Sequence, residues 1–234
     1  MPADAATPAS HVLEDLRAIF GARLEAFVAY GAHVTPRPSL ALVTSIDLAD
    51  LTACAQRVRR WTRAGAAAPV VLTRREFARS LDAFPVEFGE IIAHHETLYG
   101  DDPLAGLTVA RGDLRRACEA QVRSLLLHVR EDYIEAAGAH RVIAALVTES
   151  AAEFRALLRL VSRLDGRERE PHGLAAWAAE RLGLDPTVVS DVLHLAADPD
   201  QSGVDAARLF PAYLAATEHL ARRIDEWPDA PPDA

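Results

Sequence analysis

Apolar positions fall into two regimes along this chain. Up to about residue 112 short apolar runs alternate with helical stripes; beyond it the periods are helical. Val12, Leu13, Leu16, Ile19 and Phe20 form a stripe of helical period. Ser10 is placed to cap this helix, and Gly21 to end or kink it. Leu24 to Tyr30 reads as a strand stopped by Gly31, and His33 to Pro38, with two prolines, reads as a loop. Leu40 to Ser45 is a short apolar run of the kind found in a buried strand. Asp47 then caps a helix whose apolar face carries Leu48, Leu51, Cys54, Ala55, Val58 and Trp61. Its far face carries Arg57, Arg59, Arg60 and Arg63. Pro69 to Leu72 is predicted as a third strand, and Thr73 with Glu76 as a capping box opening a short helix. Phe84 to Ile92 is predicted as a fourth strand.

From Asp113 onward the stripes are long. Leu114, Ala117, Cys118, Val122, Leu125, Val129 and Tyr133 mark one helix, ending near Gly138. Val142, Leu146, Phe154, Leu157, Leu158, Val161 and Leu164 mark a second, ending at Gly166. Arg167 to Glu170 reads as a solvated connector. Shorter helices are expected around Trp177 and from Val189 to Leu195, and a last one over Leu209, Leu214, Leu220 and Ile224. The pattern predicts an α+β fold, with a mixed sheet flanked by helices over residues 9–112 and an all-helical domain over 113–227.

Composition narrows the function. The formal net charge is −9, the chain has no Lys, and it has no Asn. The absent Lys excludes a P-loop, and the acidic balance argues against a nucleic-acid surface. No apolar run approaches the roughly 20 residues of a membrane span. The first ten residues lack the basic start and apolar stretch of a signal peptide. A cytoplasmic location is expected. Cys54 and Cys118 sit among apolar neighbours and read as buried small side chains.

Helix, strand ending in Gly, loop and second strand is the entry of the polymerase-beta-like nucleotidyltransferase fold. The chain resembles that family at Ala29-Tyr30-Gly31-Ala32, where the family has a Gly-Ser turn. It also resembles an uncharacterised bacterial group with this fold. The shared features are a Phe-Pro-x-Glu-Phe run (Phe84 to Phe88), a His-His pair (His94, His95), a Tyr-Gly-Asp-Asp string (Tyr99 to Asp102) and a following Leu- and Arg-rich helix. The resemblance implies a nucleotide site at Gly31, Ala32 and Ser39. It also implies two carboxylates, two residues apart on the second strand and so on one face, with a third on a later strand. Together these would hold Mg²⁺ against nucleotide phosphates. The alignment puts Ser39 and Ala41 at the paired positions and leaves Glu87 as the remaining candidate catalytic acid. On this reading no resident metal or cofactor is expected. The chain is then a non-catalytic nucleotide-binding, anion-binding or regulatory module. Two alternatives stay open. One is an active Mg²⁺-dependent transferase using Glu87 with help from Glu90 or Asp47; the other is a structural protein that binds a protein partner.

Four further features carry simpler readings. His94, His95 and Glu96 look like metal ligands, but neighbours on a strand face opposite ways. Asp198 to Gly203 mimics the start of a calcium loop, yet its twelfth position is Leu209 rather than a bidentate Glu. Asp101 and Asp102 suit a turn. The arginine face of the Asp47 helix reads as solvated.

Overall fold

In the computed structural model, residues 7–32, 34–166, 169, 171–200 and 203–228 are described. The chain divides into two compact units, Met1–Ala110 and Arg111–Ala234. His33 of the first loop, three of the four residues of the Arg167 to Glu170 connector, Gln201 and Ser202 of the calcium-like string, and the tail from residue 229 lie outside the described residues.

The first unit holds a four-stranded mixed sheet. Its strands are β1 (Leu24–Tyr30), β2 (Ser39–Val43), β3 (Val70–Thr73) and β4 (His95–Tyr99), in the order β3-β2-β1-β4. β1 pairs antiparallel with both β2 and β4, and β2 runs parallel to β3. Its helices are α1 (Pro8–Phe20), α2 (Leu48–Arg63), α3 (Arg74–Ser80) and α4 (Pro85–Ala93). All five residues of β2 are buried, because the sheet is covered on both sides. On one face Phe27, Ala41 and Val43 pack with Val12, Leu16 and Phe20 of α1 and with Cys54 and Trp61 of α2. On the other, Ala26, Val28, Leu40 and Leu42 pack with Phe77 of α3, Phe88 and Ile91 of α4, and Leu104. A strand covered on both faces carries no polar alternation, which is why β2 appears in the sequence as a plain apolar run.

Local chemistry fixes the ends of these elements. α1 begins before the predicted cap. Thr7 is the cap residue and accepts from the Ser10 backbone N–H at 3.3 Å, with Pro8 in the first turn where a missing N–H costs nothing. α2 opens with a capping box in which Asp47 and Asp50 each accept the other's backbone N–H, at 2.9 and 3.1 Å. α3 opens with the predicted Thr73–Glu76 box.

Phe84 to Ile92 is not a strand. It is helix α4, and the fourth strand is the following segment, His95–Tyr99. Phe84, Phe88 and Ile91 follow the helical period. Pro85 sits in the first turn of the helix, a position it favours, whereas inside a strand it would remove a ladder bond.

Three buried or close contacts tie this unit together. Asp15 of α1, 4 % exposed, accepts from the Trp61 indole Nε1 at 2.8 Å and from Arg60 at 2.7 Å, while Arg57 stands at 3.9 Å. Arg60 also reaches Glu14. Two of the four arginines on the α2 face are thus turned toward acids of α1 rather than left to meet phosphate.

Asp50 takes both ends of the Arg23 guanidinium at 2.6 Å. The hydrogen bond from Arg23 is the main reason its carboxyl sits below the usual Asp range, against an opposing desolvation. A depressed carboxyl stabilises the fold at neutral pH, and that contribution fades as pH falls below about 4. Asp50→Asn is therefore expected to lower stability at pH 7 and to flatten its acid dependence. Urea midpoints measured between pH 7 and pH 3 check this.

Gly100 follows β4 with φ +77°, and a Cβ there would stand 2.2 Å from the Glu25 carbonyl oxygen of β1. Both the backbone conformation and the close approach require glycine. Gly100→Ala is expected to cost about 2 kcal/mol or more, read as a lower urea midpoint at unchanged slope.

The second unit is helical at every element among the described residues. It holds α5 (Arg111–Glu135), α6 (His140–Leu164), α7 (Pro171–Trp177), α8 (Pro186–Ala197) and α9 (Ala206–Asp225), with one π turn over Ala178–Leu182. α5 buries Leu114, Cys118, Val122, Leu125 and Val129, the predicted stripe. Its last member, Tyr133, is exposed and stacks on Phe210 of α9, with ring centroids 4.2 Å apart. Tyr213 of α9 is fully buried and donates to Ser150 Oγ of α6 at 3.0 Å. Trp227 is 7 % exposed, so the chain is still packed one residue before the described region closes.

Cys54 and Cys118 are free and buried. Burial pushes the Cys118 thiol up to about 12 and raises that of Cys54, so both are poor nucleophiles at neutral pH. No helix among the described residues is long and apolar enough to cross a membrane.

Candidate functional site

A cavity of about 410 Å³ lies at the end of β1 and the start of β2, beside the predicted nucleotide site. Ala32 and Ser39 line it, as do Ala29 of β1 and Glu96 and Leu98 of β4. The start of α1 and the Gly65–Ala67 turn after α2 close it. Gly31 makes the turn above it with φ +62°, and the Val34 N–H donates to the Gly31 carbonyl oxygen at 2.9 Å. A Cβ on Gly31 would stand 3.3 Å from Pro38 Cγ and from Val34 Cγ2, so the turn leaves little room for a larger residue.

Arg37 and Glu96 both line this cavity and pair with each other there. Arg37 Nη1 donates to Glu96 Oε2 at 2.6 Å, and Nη2 lies 3.5 Å from the Ala29 carbonyl oxygen. The pairing is not legible in the sequence, because the two residues lie 59 positions apart. Ser39 is buried at 5 % exposure, while the Arg37 and Glu96 side chains are 38 % and 58 % exposed.

The three acid positions of the resemblance do not come together as the alignment placed them. Ala41 packs on the sheet face covered by α1 and α2, and Ser39, two residues earlier, shares that face. Glu87 lies in the first turn of α4 and is exposed, and α4 packs through Phe88 and Ile91 on the opposite face. The β2 residues facing α4 are Leu40 and Leu42, at 0 % and 1 % exposure. Ser39 and Ala41, the paired positions of the resemblance, share one face of β2, and Glu87 stands on a helix packed against the other. The correction follows from Glu87 being helical rather than on a strand.

The other acidic and histidine candidates are engaged locally. Asp47 is used in the α2 cap. His94 Nδ1 stands 3.2 Å from Glu90. The His95 ring is wedged between elements: Nδ1 donates to the Ile91 and Ile92 carbonyl oxygens at 3.0 and 3.1 Å, and Nε2 stands 3.0 Å from Asp102 Oδ1. Asp102 also accepts the Leu104 backbone N–H at 2.9 Å. That bond, followed by His95, holds its carboxyl below the usual range. His94, His95 and Glu96 thus turn to three separate partners. Among the described residues no three His, Cys, Asp or Glu side chains gather as a metal cage requires. Asp198 ends α8 as its cap residue.

No family model and no curated protein matches this chain. Among solved structures it is similar to spectinomycin adenyltransferase AAD(9) from Enterococcus faecialis, a structure described with ATP and spectinomycin. The match covers 91% of this chain and 98% of that one, at 13% identity and a TM-score of 0.53. The likeness is one of fold: a nucleotidyltransferase-like mixed sheet flanked by helices, with a helical C-terminal region.

Proposed function

We propose that this chain is a nucleotidyltransferase-fold protein without transferase activity, serving as a nucleotide- or anion-binding regulatory module in the cytoplasm. One observation carries the reading. The paired positions of β2 carry Ser39 and Ala41, and Glu87 stands on the opposite side of the sheet. A two-metal clamp needs hard carboxylate oxygens gathered on one face, and these three residues do not supply them. Glu87 alone is left, exposed at the start of α4. The AAD(9) structure was described with ATP, and the fold likeness motivates testing ATP here.

The cavity beside Gly31, Ala32 and Ser39 supports the binding half of the proposal, since it offers an arginine and a glycine turn where the resemblance places a nucleotide.

Mn²⁺ titration tests the metal half. Without nucleotide, the electron paramagnetic resonance spectrum of Mn²⁺ is expected to match that of Mn²⁺ in buffer alone, and Glu87→Ala is expected to leave it unchanged. A protein-bound Mn²⁺ signal that disappears in Glu87→Ala would favour the enzyme reading.

A further inference from the structure

We propose that the cavity at the Gly31 turn is a site for a small organic monocarboxylate, with Arg37 as its anchoring cation and Glu96 as the group the ligand displaces. This rests on the reading of that cavity as an anion site and names the class of anion.

The volume, about 410 Å³, lies within the roughly 300–1,000 Å³ typical of small-molecule sites. The wall is apolar at Val12, Val34 and Leu98, and Ser39 offers a buried hydroxyl. A ligand with an apolar body and one polar end matches this lining.

Charge selects among anions. Among the described lining residues Arg37 is the one cation, and Glu96 already sits beside it. A triphosphate carries several charges and is ordinarily held by metal ions and more than one cationic group. A phosphate monoester carries about −1.5 to −2 near pH 7, and would meet the Glu96 carboxylate and a chain of net charge −9. A carboxylate brings a single charge and a planar pair of oxygens that fits the guanidinium fork.

Geometry supplies the exchange. Arg37 spends Nη1 on Glu96, while its Nη2 contact to Ala29 is at the outer limit of a hydrogen bond. The Arg37–Glu96 pair is half-exposed and thus screened, so swinging Glu96 into water costs little. An incoming carboxylate then takes both ends of the fork, and its body fills the Val12, Val34 and Leu98 wall.

Methyl-resolved NMR of the full chain tests this, with benzoate and hexanoate as probes, benzamide as the neutral control, and AMP as the competing class. Both acids are expected to shift the Val12, Val34 and Leu98 methyl resonances saturably, and benzamide is not. Arg37→Leu is expected to weaken benzoate about tenfold or more. Glu96→Gln, which removes the resident competitor, is expected to tighten it about fivefold.

Three results overturn the proposal. They are no methyl shift with either acid, equal binding of benzamide and benzoate, or weaker benzoate binding in Glu96→Gln. If Arg37→Leu does not fold, Glu96→Gln decides alone. AMP binding more tightly than benzoate at the same methyls would overturn the carboxylate proposal while keeping a nucleotide site. The Mn²⁺ experiment, which turns on Glu87, is unaffected by any of these outcomes.

Discussion

Leu42→Asp is expected to unfold the first unit at 25 °C. Leu42 is 1 % exposed in the middle strand of the sheet's covered core, between β1 and β3. Removing its side chain forfeits burial and leaves a cavity, which at a buried leucine costs about 2–5 kcal/mol. The new carboxylate adds a further penalty of several kcal/mol, since the neighbours on that face are Phe77, Phe88, Ile91 and Leu104 and none can pair with a charge. The sum is comparable to the whole stability of an ordinary domain, about 5–15 kcal/mol. Leu42→Ala separates the two effects and is expected to remain folded with a lower midpoint. Circular dichroism and urea titration of both variants check this. A Leu42→Asp protein close to wild-type stability would mean that this face is open and polar, as a carboxylate-bearing site would be. That outcome would contradict the packing of Leu40 and Leu42 against α3 and α4.

Much of the first unit was legible in the sequence because its signals are local. Asp47 with α2, and Thr73 with Glu76, are capping chemistry written within four residues, and both form as expected. β1 is bounded by glycines on both sides, and β2 is announced by loss of polar residues. The segment from Pro85 to Ile92 was misread because a short apolar run fits either period. Pro85 was the clue, being better suited to a helix start than to a strand. A strand there would put Glu87 on the sheet and leave no place for β4, whereas the helix carries Glu87 off the sheet. His95–Tyr99 is a five-residue edge strand of mixed polarity, and pairing with β1 rather than composition makes it a strand.

Which face of β2 holds which residue was beyond the sequence. Alternation reports a face only when one side meets water, and here neither does. The partners of β2's two faces, α1 and α2 against α3 and α4, are fixed by tertiary packing. The candidate site was half legible for the same reason. Ala32 and Ser39, near one another along the chain, both line the cavity, and Gly31 makes the adjoining turn. Arg37 and Glu96, which give that cavity its charge, are brought together by β1–β4 pairing. The helical unit was legible in outline because its stripes are long. Tyr133 marks where the α5 stripe stops reporting core and begins reporting a stack on α9.

Nucleotidyl transfer by this chain is expected to fall below detection. Phosphoryl transfer is mostly positioning and neutralisation of charge, and metal ions supply much of both. Mg²⁺ dehydrates reluctantly and is held by one or two carboxylates together with substrate phosphates. With Ser39 and Ala41 at the paired positions of β2, an exposed Glu87 is the sole acid left of the family's three. A single exposed carboxylate cannot hold two ions against water. Losing electrostatic stabilisation at one position typically costs about 100-fold or more in rate, and two of the three ligands are missing here. Glu87→Ala is accordingly expected to change nothing in such an assay. The deciding measurement is incubation of the full chain with labelled ATP, GTP, CTP and UTP, with Mg²⁺ or Mn²⁺, across protein and small-molecule acceptors including spectinomycin. No label is expected to be transferred with any pair. Metal-dependent label transfer that Glu87→Ala abolishes would contradict this.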